Sequence, residues 1–257
     1  MRSCTHPSAA RRKHTGFTLI ELLVVILIIA VLAVLSFLGY SRYRDMADKT
    51  RSINNLRQIM MANASYAADH SGRYVPLYAT DEEGSRTGFW FQDADFIRQL
   101  VGNVTNAAGN PTRQIPVDYL DQKAVRRGHT HLAMSFGMND TGLMARTGPN
   151  VRASQYSQRI ANPSGSMAFA TATDYRITYN NRIGGRAFGR TTNGSMAYRH
   201  GGQEDTNEQG HTIMRGGAAL VAFYDGSARE MTEADIREID NTRGGRSSSF
   251  WDPTQNR

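Results

Sequence analysis

Two histidines, His129 and His131, have the spacing at which side chains of a β-strand point to the same side. Zinc ligands use such a spacing. No cysteine and no close acidic residue accompanies the pair, and the only cysteine, Cys4, lies near the N-terminus. We therefore expect two surface histidines here and no metal site.

His200 and Asp225 form a second candidate pair, which would hydrogen-bond and orient the last hairpin of the chain. A catalytic role for them is not favoured, because no nucleophile accompanies them. The serine residues lack the G-x-S-x-G sequence of a nucleophile elbow, and Ser164 sits in an Asn-Pro-Ser-Gly turn. The sequence therefore predicts a protein that is not an enzyme.

The carboxylates that could bind calcium are those of Glu204, Asp205 and Glu208, together with Asp174 in another loop. Calcium loops place oxygen ligands at alternate positions, and no D-x-D-x-D spacing occurs here. We expect no cofactor and keep calcium as the alternative.

Three arginines, Arg182, Arg186 and Arg190, lie close to Tyr179 and Phe188 and make a basic loop with aromatic residues. Such a composition is used to contact phosphates and to stack on bases. We favour a solvated loop, with contact to DNA or to an anionic surface polymer as the alternative. The net charge of +7 does not itself indicate nucleic-acid binding, because residues 1–16 hold four basic residues and no acid.

The most informative charge is Glu21, which is the only ionised side chain of the apolar residues 17–38. A helix of that length spans roughly 33 Å, enough to cross a hydrocarbon core of about 30 Å. The run is longer than the apolar core of a cleaved signal peptide, so it predicts a retained anchor. The basic residues before it favour a cytoplasmic N-terminus. A carboxylate in such a helix is costly unless it is paired.

Residues 16–21, Gly-Phe-Thr-Leu-Ile-Glu, resemble the processing site of type IV prepilins and type II secretion pseudopilins. The resemblance implies cleavage after Gly16 by a prepilin peptidase and methylation of the new amino terminus at Phe17. It also implies that Glu21 pairs with the terminal amine of a neighbouring subunit in a bundle of helices. The implied function is that of a structural subunit of a type II secretion pseudopilus or a type IV pilus-like fibre.

The same resemblance implies the partners, which are the prepilin peptidase, other pilin or pseudopilin subunits and an inner-membrane assembly platform. It places the chain in a bacterial inner membrane, with the N-terminus in the cytoplasm and the head in the periplasm or outside the cell. The alternative is a DNA-uptake or surface-polymer-binding minor pilin that uses the basic loop. Nucleic acid is the less favoured partner.

The helix is predicted to continue beyond the membrane to about residue 68, and His70-Ser71-Gly72 is expected to end it. An apolar stripe at helical spacing predicts the side that faces a core. Its members are Ile53, Leu56, Met60, Ala64 and Ala67, with Asn54, Arg57, Asn63 and Asp69 off the stripe.

The remaining residues predict a small antiparallel sheet with two short helices. Strands are expected at residues 131–138, 166–171, 195–199, 217–224 and 227–231, and helices at 93–101 and 233–239, the latter capped by Thr232. Residues 74–78 are expected to be a short edge segment, residues 81–85 a loop, and the tail from Asn241 loosely held.

Residues 199–202 and 216–226 resemble the C-terminal domain of many prepilin-like proteins, in which a histidine is followed after nine residues by Asp-Gly. This chain departs from that pattern, because 24 residues separate His200 from Asp225. Residues 203–215 are therefore predicted to be an insertion that bulges from the turn of a hairpin.

Together these features predict an α+β, pilin-like fold in which a long N-terminal spine helix packs on a small antiparallel-sheet head. The expected organisation has four parts: a cleaved basic leader at 1–16, a transmembrane and assembly helix at 17–38, its amphipathic extension at 39–70, and an extracytoplasmic head at 71–257.

Overall fold

The computed structural model describes residues 18–102, 116–119, 121, 135–142, 157–183 and 195–255. The chain divides into two compact units with the boundary after Met46. Helix α1 (Leu19–Asp69) contains this boundary. The long N-terminal helix together with the sheets makes an α+β, pilin-like fold, as the sequence predicts.

The second unit is built on a five-stranded sheet. Its strands are β3 (Phe136–Asn139), β4 (Met167–Thr171), β5 (Arg176–Ile177), β8 (Ala218–Phe223) and β9 (Ala228–Thr232). Their order across the sheet is β5-β3-β4-β8-β9. All neighbours are antiparallel except β3 and β5, which are parallel. Two hairpins stand outside this sheet: β1 (Tyr78–Thr80) with β2 (Arg86–Phe89), and β6 (Gln203–Thr206) with β7 (Thr212–Arg215).

Both faces of the central strands are covered, which explains why β4 and β8 read as continuous apolar runs. Successive residues of β8 alternate between two core clusters, with Leu220 in the first cluster and Val221 in the second. The first cluster contains the buried residues of α1, and the second contains Ile236 from helix α3 (Glu233–Thr242). Within the second unit, the sheet therefore lies between residues 47–69 of α1 on one face and α3 on the other.

The buried side of α1 is wider than the predicted stripe, since it also includes Ser52, Ile59, Ala62 and Tyr66, and two of the predicted assignments are reversed. Leu56, Ile59 and Met60 are fully buried, but Ala64 is exposed and Asn63 is buried. Asn63 is tolerated inside because its Oδ1 accepts a hydrogen bond of 2.9 Å from the amide of Val75. The predicted end of the helix is confirmed, since the amide of Gly72 bonds the carbonyl of Ala67 at 2.7 Å.

The two short helices are confirmed. Helix α2 (Ala94–Val101) is capped by Asp93, whose carboxylate accepts from the amides of Asp95 and Phe96. Helix α3 has the predicted capping box, in which the side chains of Thr232 and Asp235 each accept from the other's backbone amide.

Three other predictions are wrong in this part of the chain. Residues 195–199 are not a strand, because the segment has only one isolated bridge, between Met196 and Ala172, and the next residue, His200, bridges Ala218. Residues 74–77 are not in a strand, because the short strand β1 begins at Tyr78, whereas residues 81–85 form the loop between β1 and β2, as predicted. The C-terminal tail is not loosely held, since Phe250 and Trp251 are buried in the second core cluster. Residues 131–134 of the predicted strand at 131–138 lie outside the described residues.

Candidate functional site

The described chain begins at a reciprocal hydrogen-bonded turn between Thr18 and Glu21. The Oε2 atom of Glu21 accepts from both the amide and the hydroxyl of Thr18, each at 2.8 Å, and Thr18 Oγ1 accepts from the amide of Glu21 at 3.3 Å. This is the geometry of a capping box, which satisfies amides that have no partner inside the helix. It fixes the start of α1 and holds the Glu21 carboxylate against the first turn.

The helix that follows is apolar and its side chains are exposed. Leu19–Ser36 has a mean hydropathy of 3.2 and is long and apolar enough to cross a membrane. Leu19 is 87% exposed and Leu27 is 60% exposed, and none of this stretch is buried. Apolar surface of this extent needs lipid or other apolar helices around it.

The residues on either side of the predicted cleavage, Gly16 and Phe17, lie outside the described residues. Cleavage after Gly16 and methylation at Phe17 therefore stay predictions. Of the predicted processing and assembly residues, the structure places Glu21 alone, on the first turn of α1.

A second polar site lies fully buried in the head, around the carboxylate of Asp118. Ser52 on α1 donates to Asp118 Oδ1 at 2.9 Å, and Arg199 Nη1 donates to Asp118 Oδ2 at 3.0 Å. The Nε2 atom of His200 is 3.2 Å from Asp118 Oδ1. All four of these residues are at most 2% exposed.

Arg199 extends this buried cluster to three further groups. Its guanidinium donates to the carbonyl of Ser135 at 3.2 Å and to that of Ala172 at 2.7 Å, and it lies 3.6 Å from Asp121 Oδ2. A planar guanidinium has five N–H donors, so it can satisfy several acceptors at once. The cluster thereby ties the segment around Asp118 to the β-sheet.

The same cluster ties this segment to α1. The amide of Tyr119 donates to Ser52 Oγ at 2.9 Å, and Asn55 Nδ2 donates to the carbonyl of Val117 at 2.8 Å. Burial alone would raise the pKa of Asp118, but the charges and hydrogen bonds of His200 and Arg199 hold the pKa of this carboxyl far below its usual range. Asp118 is therefore ionised inside the core, and its neighbours compensate the charge.

The structure does not bring His200 and Asp225 together. His200 exchanges backbone hydrogen bonds with Ala218 at the start of β8, whereas Asp225 follows the other end of that strand. At about 3.3 Å per residue the two are roughly 20 Å apart. Asp225 instead accepts from the amide and the hydroxyl of Ser227 in the β8–β9 turn.

The arginine of the basic loop that the structure describes, Arg182, has a structural role. Its guanidinium contacts the carboxylate of Asp240, donates to the carbonyl of Tyr179 at 2.7 Å and lies 3.7 Å from the centre of the Tyr179 ring. Arg186 and Arg190 lie outside the described residues.

The candidate metal ligands give no cluster in the described chain. His129 and His131 lie outside the described residues. Asp205 contacts Arg215, and Asp174 accepts from the amide of Tyr175. Among the described residues, no group of three or more His, Cys, Asp or Glu side chains is placed to hold a metal ion.

Comparison with known proteins identifies the N-terminal segment. Residues 11–37 match the family described as the prokaryotic N-terminal methylation motif. No curated protein and no solved structure matches the chain. The motif, the apolar helix and the α+β head support a type IV pilin-like protein, anchored in a membrane and processed by a prepilin peptidase.

The sequence pointed to the N-terminal segment as a functional site, and it did not predict the buried cluster around Asp118. Asp118 stands in a segment with no periodic pattern, and its partners Ser52, Arg199 and His200 are far from it in the chain. The available signal was the adjacent pair Arg199 and His200, and the resemblance of the C-terminal part instead suggested Asp225, the wrong acid, as the partner of His200.

Proposed function

We propose that this chain is a structural subunit whose leader is cleaved after Gly16 and whose new terminus is methylated at Phe17. The subunit then assembles through residues 17–38 into a type II secretion pseudopilus or a type IV pilus-like fibre. The observation that carries the proposal is the match of residues 11–37 to the methylation motif. The exposed apolar surface of Leu19–Ser36 supports it, because a helix bundle would cover that surface.

In this proposal the basic N-terminus faces the cytoplasm and the head faces the periplasm or the cell exterior. The partners are the prepilin peptidase, other subunits and the inner-membrane platform. Apolar helices gain little by leaving lipid for each other, so one polar pairing can decide how subunits stack. We assign that pairing to Glu21 and the terminal amine of a neighbouring subunit.

We also propose that residues 199–226 are a divergent form of the C-terminal domain in which a histidine is followed after nine residues by Asp-Gly. The backbone hydrogen bonds of 3.0 and 2.8 Å between His200 and Ala218 close the chain around residues 203–215. Those residues form the separate hairpin β6–β7, as expected of an insertion. Removing them would leave a short connection between the same two positions.

Cleavage is tested by Gly16→Val in the full-length chain expressed with a prepilin peptidase. A branched side chain next to the scissile bond is expected to block cleavage, so the variant should remain about 16 residues heavier than the wild type on a denaturing gel. Conversion of this variant to the mature size would contradict the assigned cleavage site.

The role of Glu21 is tested by Glu21→Gln, scored as the fraction of mature subunit recovered in sheared fibres. Glutamine can take the place of glutamate in a capping box, but it carries no charge. If Glu21 only caps α1, the Glu21→Gln subunit should assemble into fibres normally. If Glu21 pairs with the terminal amine of a neighbouring subunit, the Glu21→Gln subunit should be cleaved but should stay in the membrane. Thr18→Ala is the matched control, because it removes the capping box and keeps the charge.

A further inference from the structure

The hairpin β6–β7 is a two-stranded sheet that is separate from the five-stranded sheet of the head. Four residue pairs join its strands, and all residues of β6 and β7 are exposed or half-buried. Within the described chain, neither strand has a neighbour on its outer edge. Two-stranded hairpins are marginally stable alone in water, and open strand edges are ready to pair with another chain.

The outer edge of β7 lies where strand β9 ends. Strand β7 is followed after two glycines by β8, whose first residue, Ala218, lies between His200 on one side and Thr232 on the other. Because His200 leads into β6, β6 lies on the His200 side of β7. On the other side β9 ends at Thr232, and the chain enters α3 at Glu233. No described strand therefore continues β9 along β7.

The hydrogen bonds of the hairpin turn determine which backbone groups of β7 point outwards. The amide of Asn207 donates to the carbonyl of His211 at 2.9 Å, so these two residues form a hydrogen-bonded pair. In an antiparallel ladder, hydrogen-bonded pairs alternate with pairs whose amides and carbonyls point away from the partner strand. Thr212 and Met214 belong to the second kind of pair, so their backbone groups point away from β6.

The outward groups of β7 are more available than those of β6. No described residue bonds the amides of Thr212 and Met214 or the carbonyl of Thr212. The Met214 carbonyl accepts a bond of 3.2 Å from the amide of Gly217. On β6 the outward amide of Thr206 already donates to Asp205 Oδ1 at 2.7 Å. An added strand is therefore expected on β7.

A groove of about 570 Å³ lies between this edge and the first turn of α3. Ile213, Met214 and Ala234 supply its apolar lining. The volume is in the range of sites that enclose ligands, and the groove has a strand on one side and a helix on the other. It therefore favours a single extended segment over the edge of a second folded sheet, which would need room for its further strands.

The charged side chains of the groove are compensated within the chain. Arg215 contacts Asp205, and the Arg237 guanidinium lies 2.7 Å from the Glu233 carboxylate. Arg215, Arg237 and Glu233 all line the groove. The two ion pairs together carry no net charge, so the groove is complementary to an uncharged occupant.

We propose that an extended, uncharged segment of a different polypeptide adds to the outer edge of β7 as a third strand. The amides of Thr212 and Met214 donate to its carbonyls, and the Thr212 carbonyl accepts from one of its amides. Its apolar side chains lie in the groove against Ile213 and Met214. The contact joins the head to a partner protein and goes beyond the assembly of subunits.

The first test measures how the purified full-length chain in detergent binds an immobilised heptapeptide of alternating valine and threonine, capped at both ends. The amides of alternate residues face the same way in a strand, so only one alternate set can bond β7. N-methylation of that set removes the donors and should weaken binding about tenfold. N-methylation of the other set should leave binding unchanged.

The second test removes one donor from the chain. Thr212→Pro deletes an outward amide of β7 and keeps the bonds to β6, because that amide does not face β6. Binding of the heptapeptide should fall about fivefold. Thr206→Pro is the matched control, since Thr206 lies directly opposite Thr212 and its amide points to the other edge. This control should bind the heptapeptide as the wild type does.

No binding of the unmethylated heptapeptide, equal effects of the two methylated sets, or equal effects of the two proline variants would each overturn the strand addition. If Thr212→Pro disrupts the hairpin, the methylated peptides still decide the question, because they are tested on the wild-type chain. A dimer of the chain that Thr212→Pro abolishes would identify a second copy as the occupant and would also overturn the proposal. Leader cleavage plays no part in these measurements, so their outcome does not bear on the proposed function.

Discussion

Two stretches of the same helix reverse the usual relation between polarity and burial. Leu19–Ser36 is almost wholly apolar, and its side chains are exposed. Residues 47–69 include Ser52 and Asn63, which are polar and buried. A single helix therefore contains an exposed apolar stretch, Leu19–Ser36, and a second stretch with polar side chains that are buried in the head.

The difference shows that burial in α1 is decided by what lies against each turn. Ser52 is enclosed because Asp118 and the amide of Tyr119 supply its hydrogen bonds. The apolar stretch has no such neighbours among the described residues, and only lipid or further subunits can remove it from water. The first stretch is thus suited to assembly and the second to holding the head together.

The largest expected effect comes from Arg199→Met, which removes the cation that lies beside the buried carboxylates of Asp118 and Asp121. Asp118 and Asp121 would stay buried with less compensation, so the free energy of unfolding should fall by about 3–5 kcal/mol. The free energy of unfolding is measured by urea titration of the full chain in detergent, with the fluorescence of the buried Trp90 and Trp251 as the signal. Arg57→Met on the exposed side of α1 should cost less than about 0.5 kcal/mol. Equal effects of the two variants would show that the buried cluster contributes nothing special.

A matched pair of leucines tests the comparison directly. Leu56→Ala should lower the free energy of unfolding of the head by about 2–5 kcal/mol, because Leu56 is fully buried. Leu27→Ala removes the same atoms from the exposed stretch and should leave head unfolding unchanged. The same urea titration applies to both. A loss of head stability in Leu27→Ala would break the distinction between the two stretches.

A matched pair of serines gives the smallest effect. The Oγ atoms of Ser36 and Ser52 each lie within hydrogen-bond distance of the carbonyl four residues earlier, at 2.7 and 2.9 Å. Ser52 also bonds Asp118 and Tyr119, so Ser52→Ala should cost about 1–3 kcal/mol. Ser36→Ala should change head unfolding by less than about 0.5 kcal/mol. A similar small cost for both serines would mean that the bond within the helix accounts for all of it.

Local rules predicted the elements of the head whose causes lie close together in the chain. The capping box of Thr232 and Asp235, the helix near residues 93–101, and strands β4 and β8 follow from nearby residues or from unbroken apolar runs. The segment at 195–199 was misjudged because its alternation resembles that of a strand. Strand status requires a ladder with a neighbour, and here there are only single bridges.

The tail was misjudged for a related reason. Its glycines, serines and arginines indicate little order, but Phe250 and Trp251 carry enough apolar surface to anchor it. Trp251 Nε1 also donates to Asp240 Oδ1 at 2.9 Å, which satisfies its polar atom. Composition describes the average polarity of a segment, whereas its order can depend on one or two large side chains that pack into the core.

The sequence alone determined the features of the N-terminus that indicate processing and membrane anchoring. A basic tail, residues 16–21 and an apolar run are contiguous, and their physical consequences depend on length and charge rather than on folding. Only the tertiary structure decided that Asp118, rather than Asp225, is the partner of His200. Strand β8 separates His200 from Asp225, while the fold brings Asp118 to it from a distant segment. Contact between polar side chains within a core depends on that proximity in space, which the order of residues does not reveal.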